Sequence, residues 1–205
     1  MPKVNSIVAA FAALALGMVP GCASKAESPS SPGSSSESPA PSAPSDEAPE
    51  QESATEEDRF VFTHGSFELA HGWYKYDDHS TEAKPFFVPQ DYDGNGVPDN
   101  ISVEHGTNHY AKDDPTTFGR AISAQLAQQV QGHATGEITS SGITSQAGEP
   151  VLVFDIPMAN CHITQYYICG DHEHILVYET NFSGSTECDE VARTIVDTFV
   201  WEGRG

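Results

Sequence analysis

The stretch at 151–180, VLVFDIPMANCHITQYYICGDHEHILVYET, decides the fold class of this chain. It contains three runs rich in β-branched and aromatic residues, at 151–156, 163–169 and 174–180, which are separated by short polar segments. Runs of this length and composition are typical of β-strands, and Gly170-Asp171 is a natural two-residue turn between the last two. Strands joined by short turns pair antiparallel, so the stretch predicts an antiparallel sheet.

Two amphipathic helices are predicted, one before and one after this stretch. The first begins at an N-cap of Asp113 or Asp114 and stops near Gly132, because short polar residues favour a cap and glycine favours a helix end. Its apolar residues recur every four positions and form one buried stripe of Phe118, Ile122, Leu126 and Val130. The second helix is predicted to have Thr186 as its N-cap. Its apolar face is formed by Cys188, Val191, Ala192, Ile195, Val196 and Phe199.

Shorter apolar runs predict further strands in the first half of the domain and before the quoted stretch. They lie at 60–69, 73–76, 86–88, 101–103 and 136–144. Helices that pack on an antiparallel sheet form a layered α+β sandwich. The predicted fold class is therefore α+β, an antiparallel β-sheet with two main helices packed on it.

The order of these elements and a few aromatic anchors resemble the PsbP-type α/β/α sandwich. The anchors are Gly72-Trp73 at the end of the early strand and Trp201 after the closing helix. The segment from Asn100 to Val103, followed by Gly106-Thr107-Asn108-His109-Tyr110, resembles the bacterial lipoprotein members of that family most. The resemblance covers most of 59–205. It implies a PsbP-like domain that binds or assembles with other molecules rather than an enzyme, and it carries over no catalytic residue.

Residues 1–21 have the pattern of a lipoprotein signal peptide. Lys3 gives a positive start, and an apolar run of thirteen residues follows at 7–19. As a helix this run spans about 20 Å, which is less than the ~30 Å hydrocarbon core of a bilayer. The sequence Val-Pro-Gly-Cys then ends at Cys22 and resembles a bacterial lipobox. We predict lipidation of Cys22 and anchoring to the outer face of the cell membrane; the alternative is an ordinary secretory signal.

Residues 22–58 are predicted to form a disordered tether. The 36 residues after Cys22 hold 11 Ser and 6 Pro, and they contain no aromatic residue and no Val, Ile, Leu or Met. Such a segment buries too little apolar surface to offset the entropy lost on ordering. The globular domain is therefore predicted at 59–205, at the end of a Ser/Pro/Glu-rich tether.

The charge of the chain limits its partners. It has 30 acidic residues and 9 Lys or Arg, a formal net charge of −21. Binding to nucleic acid by phosphate neutralisation needs clustered basic residues, so we predict that nucleic acid is not a partner.

One loop has the spacing of a calcium site. The residues that would supply oxygen atoms are Asp91, Asp93, Asn95, Val97 through its carbonyl, and Asp99, which occupy positions 1, 3, 5, 7 and 9 of a calcium loop. Ser102 stands at position 12, where such loops carry a bidentate Glu. The alternative is a polar connection whose Asp and Asn side chains make turns.

Two histidine-containing segments are weaker candidates. A zinc or copper site is one interpretation of Cys169, His172 and His174, and an exposed hairpin end is the other. A ligand cleft is one interpretation of His105, Asn108, His109 and Tyr110, and loop packing is the other.

Three cysteines remain once Cys22 is assigned to the lipid. A two-residue turn after Cys169 places Cys161 opposite about residue 180, a short distance along the chain from Cys188. We therefore predict a Cys161–Cys188 disulfide, with Cys169 as a buried free thiol. A Cys161–Cys169 bridge is the alternative, but it would join two ends of one strand about 26 Å apart. Three reduced cysteines are the third possibility.

These patterns predict a surface-exposed, membrane-anchored lipoprotein with a non-enzymatic binding or assembly domain. Its partner would be a protein of the cell envelope or a small ligand. The alternative is a lipoprotein that binds calcium through the 91–99 loop. An envelope hydrolase ranks last, because the sequence contains no GxSxG, HExxH or Walker motif.

Overall fold

The computed structural model describes residues 59–203, and within them it has an α+β architecture of ten β-strands and two α-helices. The first half comprises β1 (Arg59–Phe62), β2 (Gly65–Glu68), β3 (Trp73–Lys75), β4 (Phe86–Pro89), β5 (Asn100–Thr107) and α1 (Pro115–Gln129). The second half comprises β6 (Thr139–Thr144), β7 (Pro150–Pro157), β8 (His162–Cys169), β9 (Glu173–Asn181), α2 (Thr186–Thr198) and β10 (Val200–Trp201). The predicted signal peptide, the predicted lipidation at Cys22 and the predicted tether lie outside the described residues.

The strands form two antiparallel sheets. Seven of them pair in the order β3-β4-β5-β9-β8-β7-β6, and the other three pair in the order β1-β2-β10. The predicted class, an antiparallel sheet with two main helices, is confirmed. The small second sheet was not predicted. Within residues 59–203, neither helix is long and apolar enough to cross a membrane.

The two helices lie on opposite faces of the seven-stranded sheet. Side chains alternate along β8, so Tyr166 and Ile168 belong to the core with α2, while Tyr167 and Cys169 belong to the core with α1. The three-stranded sheet contributes to the α2 core. The layers are therefore α1, the large sheet, and then α2 with the small sheet.

The helix ends follow local capping chemistry. Asp114 is the N-cap of α1, and its side chain accepts a hydrogen bond from the Thr117 N–H at 3.2 Å. The N-cap of α2 is Ser185, one residue earlier than predicted, and its hydroxyl accepts from the Glu187 N–H at 3.1 Å.

The apolar segment at 60–69 forms a hairpin of β1 and β2 rather than one strand. Gly65 begins β2 and lies directly against β10: a Cβ atom there would stand 2.3 Å from the Val200 carbonyl oxygen. A side chain at this position would therefore clash with β10, and only glycine allows so close an approach.

The hairpin between β8 and β9 turns one residue later than predicted, at Asp171-His172. Cys169 pairs with His174 across it. Backbone bonds to the segment before α1 hold this turn: Asn108 N–H donates to the His172 carbonyl at 2.8 Å, and His172 N–H donates to the Tyr110 carbonyl at 2.9 Å. His172 has a φ of 60°, in the left-handed region that residues other than glycine rarely adopt.

Candidate functional site

The five calcium candidates all lie in the loop between β4 and β5. Asp93 closes its own turn, accepting hydrogen bonds from the Asn95 backbone N–H at 2.9 Å and side-chain amide at 3.1 Å. Asp91 and Val97 are exposed in the same loop. Across residues 59–203 there is no group of three or more His, Cys, Asp or Glu side chains that could hold a metal ion.

Asp99 is turned away from this loop and holds a distant part of the chain. Its Oδ1 accepts hydrogen bonds from the N–H groups of Phe182 at 2.6 Å and Ser183 at 2.9 Å, and its Oδ2 accepts from the Ser183 hydroxyl. These contacts fix the connection between β9 and α2. The Asp99 carboxylate is therefore used in structural hydrogen bonds, and its role as the residue at position 9 of a calcium loop stays a prediction.

The predicted Cys161–Cys188 disulfide is not formed, since all three described cysteines are free. Cys161 packs against the α1 core, whereas Cys188 lies in the α2 core. The two thiols are thus on opposite faces of the large sheet. Proximity along the chain does not decide on which face of the sheet a side chain lies, and for this reason the two thiols do not meet. Cys169 is a buried free thiol, as predicted, and burial raises its pKa to about 11.

The second metal candidate is also not assembled. Cys169 and His174 are cross-strand neighbours, but His172 is exposed at the turn. The Cys169 thiol donates to the Tyr167 carbonyl at 3.5 Å, and the His174 ring packs between Phe118 and Tyr167. Burial, with a smaller contribution from His105, lowers the pKa of His174 to about 4, against the opposing effect of Glu173.

Three of the four residues considered for a ligand cleft make contacts within the domain, and His105 and Tyr110 do so on different faces of the sheet. His105 stacks on His64 with ring centroids 3.8 Å apart, and its Nε2 lies 2.8 Å from a Glu173 oxygen. On the other face, Tyr110 packs against Phe118. Asn108 lies 3.4 Å from the His174 ring nitrogen, while His109 is exposed.

A surface that the sequence analysis did not single out carries a cluster of aromatic rings. Tyr76 is its centre: ring centroids lie 6.3 Å from Tyr74, 5.8 Å from Tyr92 and 5.5 Å from His79. His79 in turn lies 5.6 Å from Phe86. His79 is exposed and the other four rings are partly exposed. We call this set of five the tyrosine surface.

The fold explains why these rings remain at the surface. The α1 core draws its sheet residues from β7, β8 and β9, and not from β3 or β4. The same face of β3 and β4 is instead bordered by the segments at 76–85 and 90–99, which carry most of the rings. Tyr74 lies directly opposite the fully buried Val88 on the neighbouring strand. The tyrosine surface is thus a margin of the sheet that lies outside the α1 core.

Carboxylates flank these rings. Tyr76 donates its hydroxyl proton to an oxygen of Asp78 at 3.2 Å, while Tyr92 donates to the Gly96 carbonyl at 3.3 Å. Desolvation, the bond to Asp78 and the surrounding negative charge raise the pKa of Tyr76, so its hydroxyl stays a neutral donor. Aromatic faces next to carboxylates offer both apolar contact and attraction for cations.

One signal for this surface was present in the sequence. In Trp73-Tyr74-Lys75-Tyr76, strand alternation puts Tyr74 and Tyr76 on one side and Trp73 in the core. Tyr92 belongs to the predicted calcium loop. Its contact with Tyr76 joins residues on either side of β4 in the sequence, and no local pattern predicts it.

A second feature missed from the sequence is a buried carboxylate. Glu179 is 0% exposed and faces α2, near Cys188 and Asp189. Neither of its oxygens has a well-formed hydrogen-bond partner among the described residues. Burial, followed by the effect of Asp189, raises the pKa of Glu179 to about 9. Side chains alternate along a strand, so Glu179 lies on the same buried face as Ile175 and Val177, and this alternation is the sequence signal for its burial.

A groove of about 390 Å³ lies between the C-terminal half of α1 and β6. Its lining is small and uncharged, with Ala127, Ala134 and Gly136 among the residues. None of the residues predicted to form a site lies in it.

Comparison with known proteins gives a likeness of shape. No family model matches this chain, and no curated protein matches it. Among solved structures it is similar to the solution structure of cyanobacterial PsbP (CyanoP) from Synechocystis sp. PCC 6803, with 13% sequence identity and a TM-score of 0.48. The match covers 70% of this chain and 91% of that chain. The sequence resemblance was to the same PsbP-type fold. A similarity of fold at this level does not define a function.

Proposed function

We propose that this chain is an exported lipoprotein whose domain docks a protein partner of the cell envelope, as a binding or assembly module rather than an enzyme. The observation that carries the proposal is the tyrosine surface. It gathers five rings at one place, and four of them are only partly buried.

Contiguous exposed aromatic groups mark interaction sites more often than scattered apolar residues do. Tyrosine is enriched in protein interfaces because it gives a large contact area, a hydroxyl donor and little loss of side-chain entropy. The calcium-binding alternative has less support, because Asp93 and Asp99 are engaged in hydrogen bonds within the protein.

The membrane anchor is a proposal drawn from the sequence alone. Changing Cys22→Ala is expected to release the protein from the cell into the medium, because lipidation needs the thiol at that position. Incorporation of a labelled fatty acid, followed by fractionation of cells and medium, measures both effects. Wild-type protein that carries no label would refute the anchor.

Site-specific photo-cross-linking in whole cells tests the docking role. A benzophenone amino acid at Val97, which is 43% exposed beside the tyrosine surface, is expected to give a discrete adduct with one envelope protein. The control position is Val61, which is 68% exposed on the small sheet. Equal adducts from both positions, or none from Val97, would contradict the proposed function.

A further inference from the structure

We infer that the segment docked on the tyrosine surface is rich in lysine or arginine. This inference rests on the proposed function and names the chemistry of the partner. It is drawn from the acidic residues around the rings and from the ion pairs that the two nearby lysines form.

The region that carries the rings is strongly acidic. Residues 74–99 contain six Asp or Glu and two Lys. Both lysines are paired with carboxylates: the Lys75 amine lies 3.0 Å from Asp77, and the Lys84 amine lies 2.7 Å from Glu104. Within residues 59–203, no Lys or Arg forms an ion pair with Asp78, Asp91 or Asp93, which are all exposed. The charges of Asp78, Asp91 and Asp93 are therefore not neutralised by a Lys or Arg within residues 59–203.

The geometry at Tyr76 suits a guanidinium group. The hydroxyl of Tyr76 holds one oxygen of Asp78 at 3.2 Å and leaves the second oxygen of that carboxylate outside this bond. A planar cation can stack on a tyrosine ring and donate to a neighbouring carboxylate at the same time. A neutral segment would gain the ring contact alone.

Charge argues against other occupants. Residues 59–205 carry 21 acidic residues and 7 Lys or Arg, so a second copy of this chain would be repelled. Nucleic acid would be repelled for the same reason. A basic polypeptide gains from the same field, both in its rate of encounter and in its bound state.

Binding of two synthetic peptides to the full chain in detergent micelles tests this inference. One peptide alternates Arg with Gly, and the other carries neutral citrulline in place of each Arg. We expect the Arg peptide to bind at 50 mM salt, to weaken several-fold at 300 mM, and to bind at least about tenfold more tightly than the citrulline peptide. Equal affinity for the two peptides would overturn the inference.

Matched variants separate this surface from general attraction to an acidic protein. Asp78→Asn is expected to weaken the Arg peptide about threefold to fivefold, and Tyr76→Leu by a similar factor. Glu137→Gln removes an exposed carboxylate next to the opposite edge of the sheet, and we expect it to leave the affinity unchanged. Equal weakening by Asp78→Asn and Glu137→Gln would show general attraction and would overturn the inference.

The outcome can be told apart from a failure of the proposed function. If the Val97 cross-link captures a partner whose linked segment lacks Lys and Arg, docking stands and the basic chemistry is wrong. If the Arg peptide binds as expected but Val97 captures nothing in cells, the surface chemistry stands and the docking role fails.

Discussion

Replacing Glu179→Gln is expected to raise the free energy of unfolding by about 5 kcal/mol at pH 8 and to change it little at pH 4. Glu179 is fully buried, and its pKa in the folded protein is raised to about 9 from an ordinary value of 4.5. Between these two values the folded state holds a proton that the unfolded state has released. Stability is therefore lost as the pH rises from about 4.5 towards 9, and a glutamine at this position does not incur that loss.

Urea denaturation of the wild type and the variant at pH 4, 6 and 8 measures this effect. The matched control is Glu187→Gln, an exposed glutamate in the first turn of α2, for which we expect no comparable gain. A gain for Glu179→Gln that is the same at all three pH values would mean that the carboxylate is not the cause.

Gly65→Ala is the second large effect, with an expected loss of about 3 kcal/mol of stability. An added Cβ would lie 2.3 Å from the Val200 carbonyl oxygen and 2.7 Å from the Phe199 ring. The obstacle is partly backbone, so rotation of a side chain does not relieve it. The expected structural result is separation of β10 from β2, because the two strands pair at Gly65 and Trp201.

Thermal unfolding and tryptophan fluorescence test this prediction together. Trp201 is buried in the wild type, and its displacement is expected to shift the emission to longer wavelength. Gly142→Ala on the edge strand β6 serves as the control, since no atom lies within 4 Å of its added Cβ. If the two variants unfold at the same temperature, β10 does not require the close approach at Gly65.

Features set by local spacing were predicted well. The stripe of Phe118, Ile122 and Leu126 has a helical period, and all three residues are buried in α1. The runs at 151–156 and 163–169 were identified as strands because β-branched and aromatic residues are concentrated there. These patterns depend only on residues that are close in the sequence, so they predict helices and strands without knowledge of the tertiary arrangement.

Features that depend on the third dimension were not predicted. The disulfide prediction used distance along the chain, but Cys161 and Cys188 lie on different faces of the sheet. The hydrogen bonds of Asp99 to Phe182 and Ser183, more than 80 residues away in the sequence, had no local signal either. The tyrosine surface likewise brings together Tyr76 and Tyr92, which are separated in the sequence by the whole of β4.

The yield of the Val97 adduct in a Tyr76→Ser background tests the docking role of the tyrosine surface most directly. Tyr76 contacts three other rings of that surface, and its loss is expected to reduce the adduct at least fivefold while protein level and thermal stability stay close to the wild type. Val200→Ser, at an exposed position on β10, is expected to leave the yield unchanged. An undiminished adduct in the Tyr76→Ser background would contradict the account.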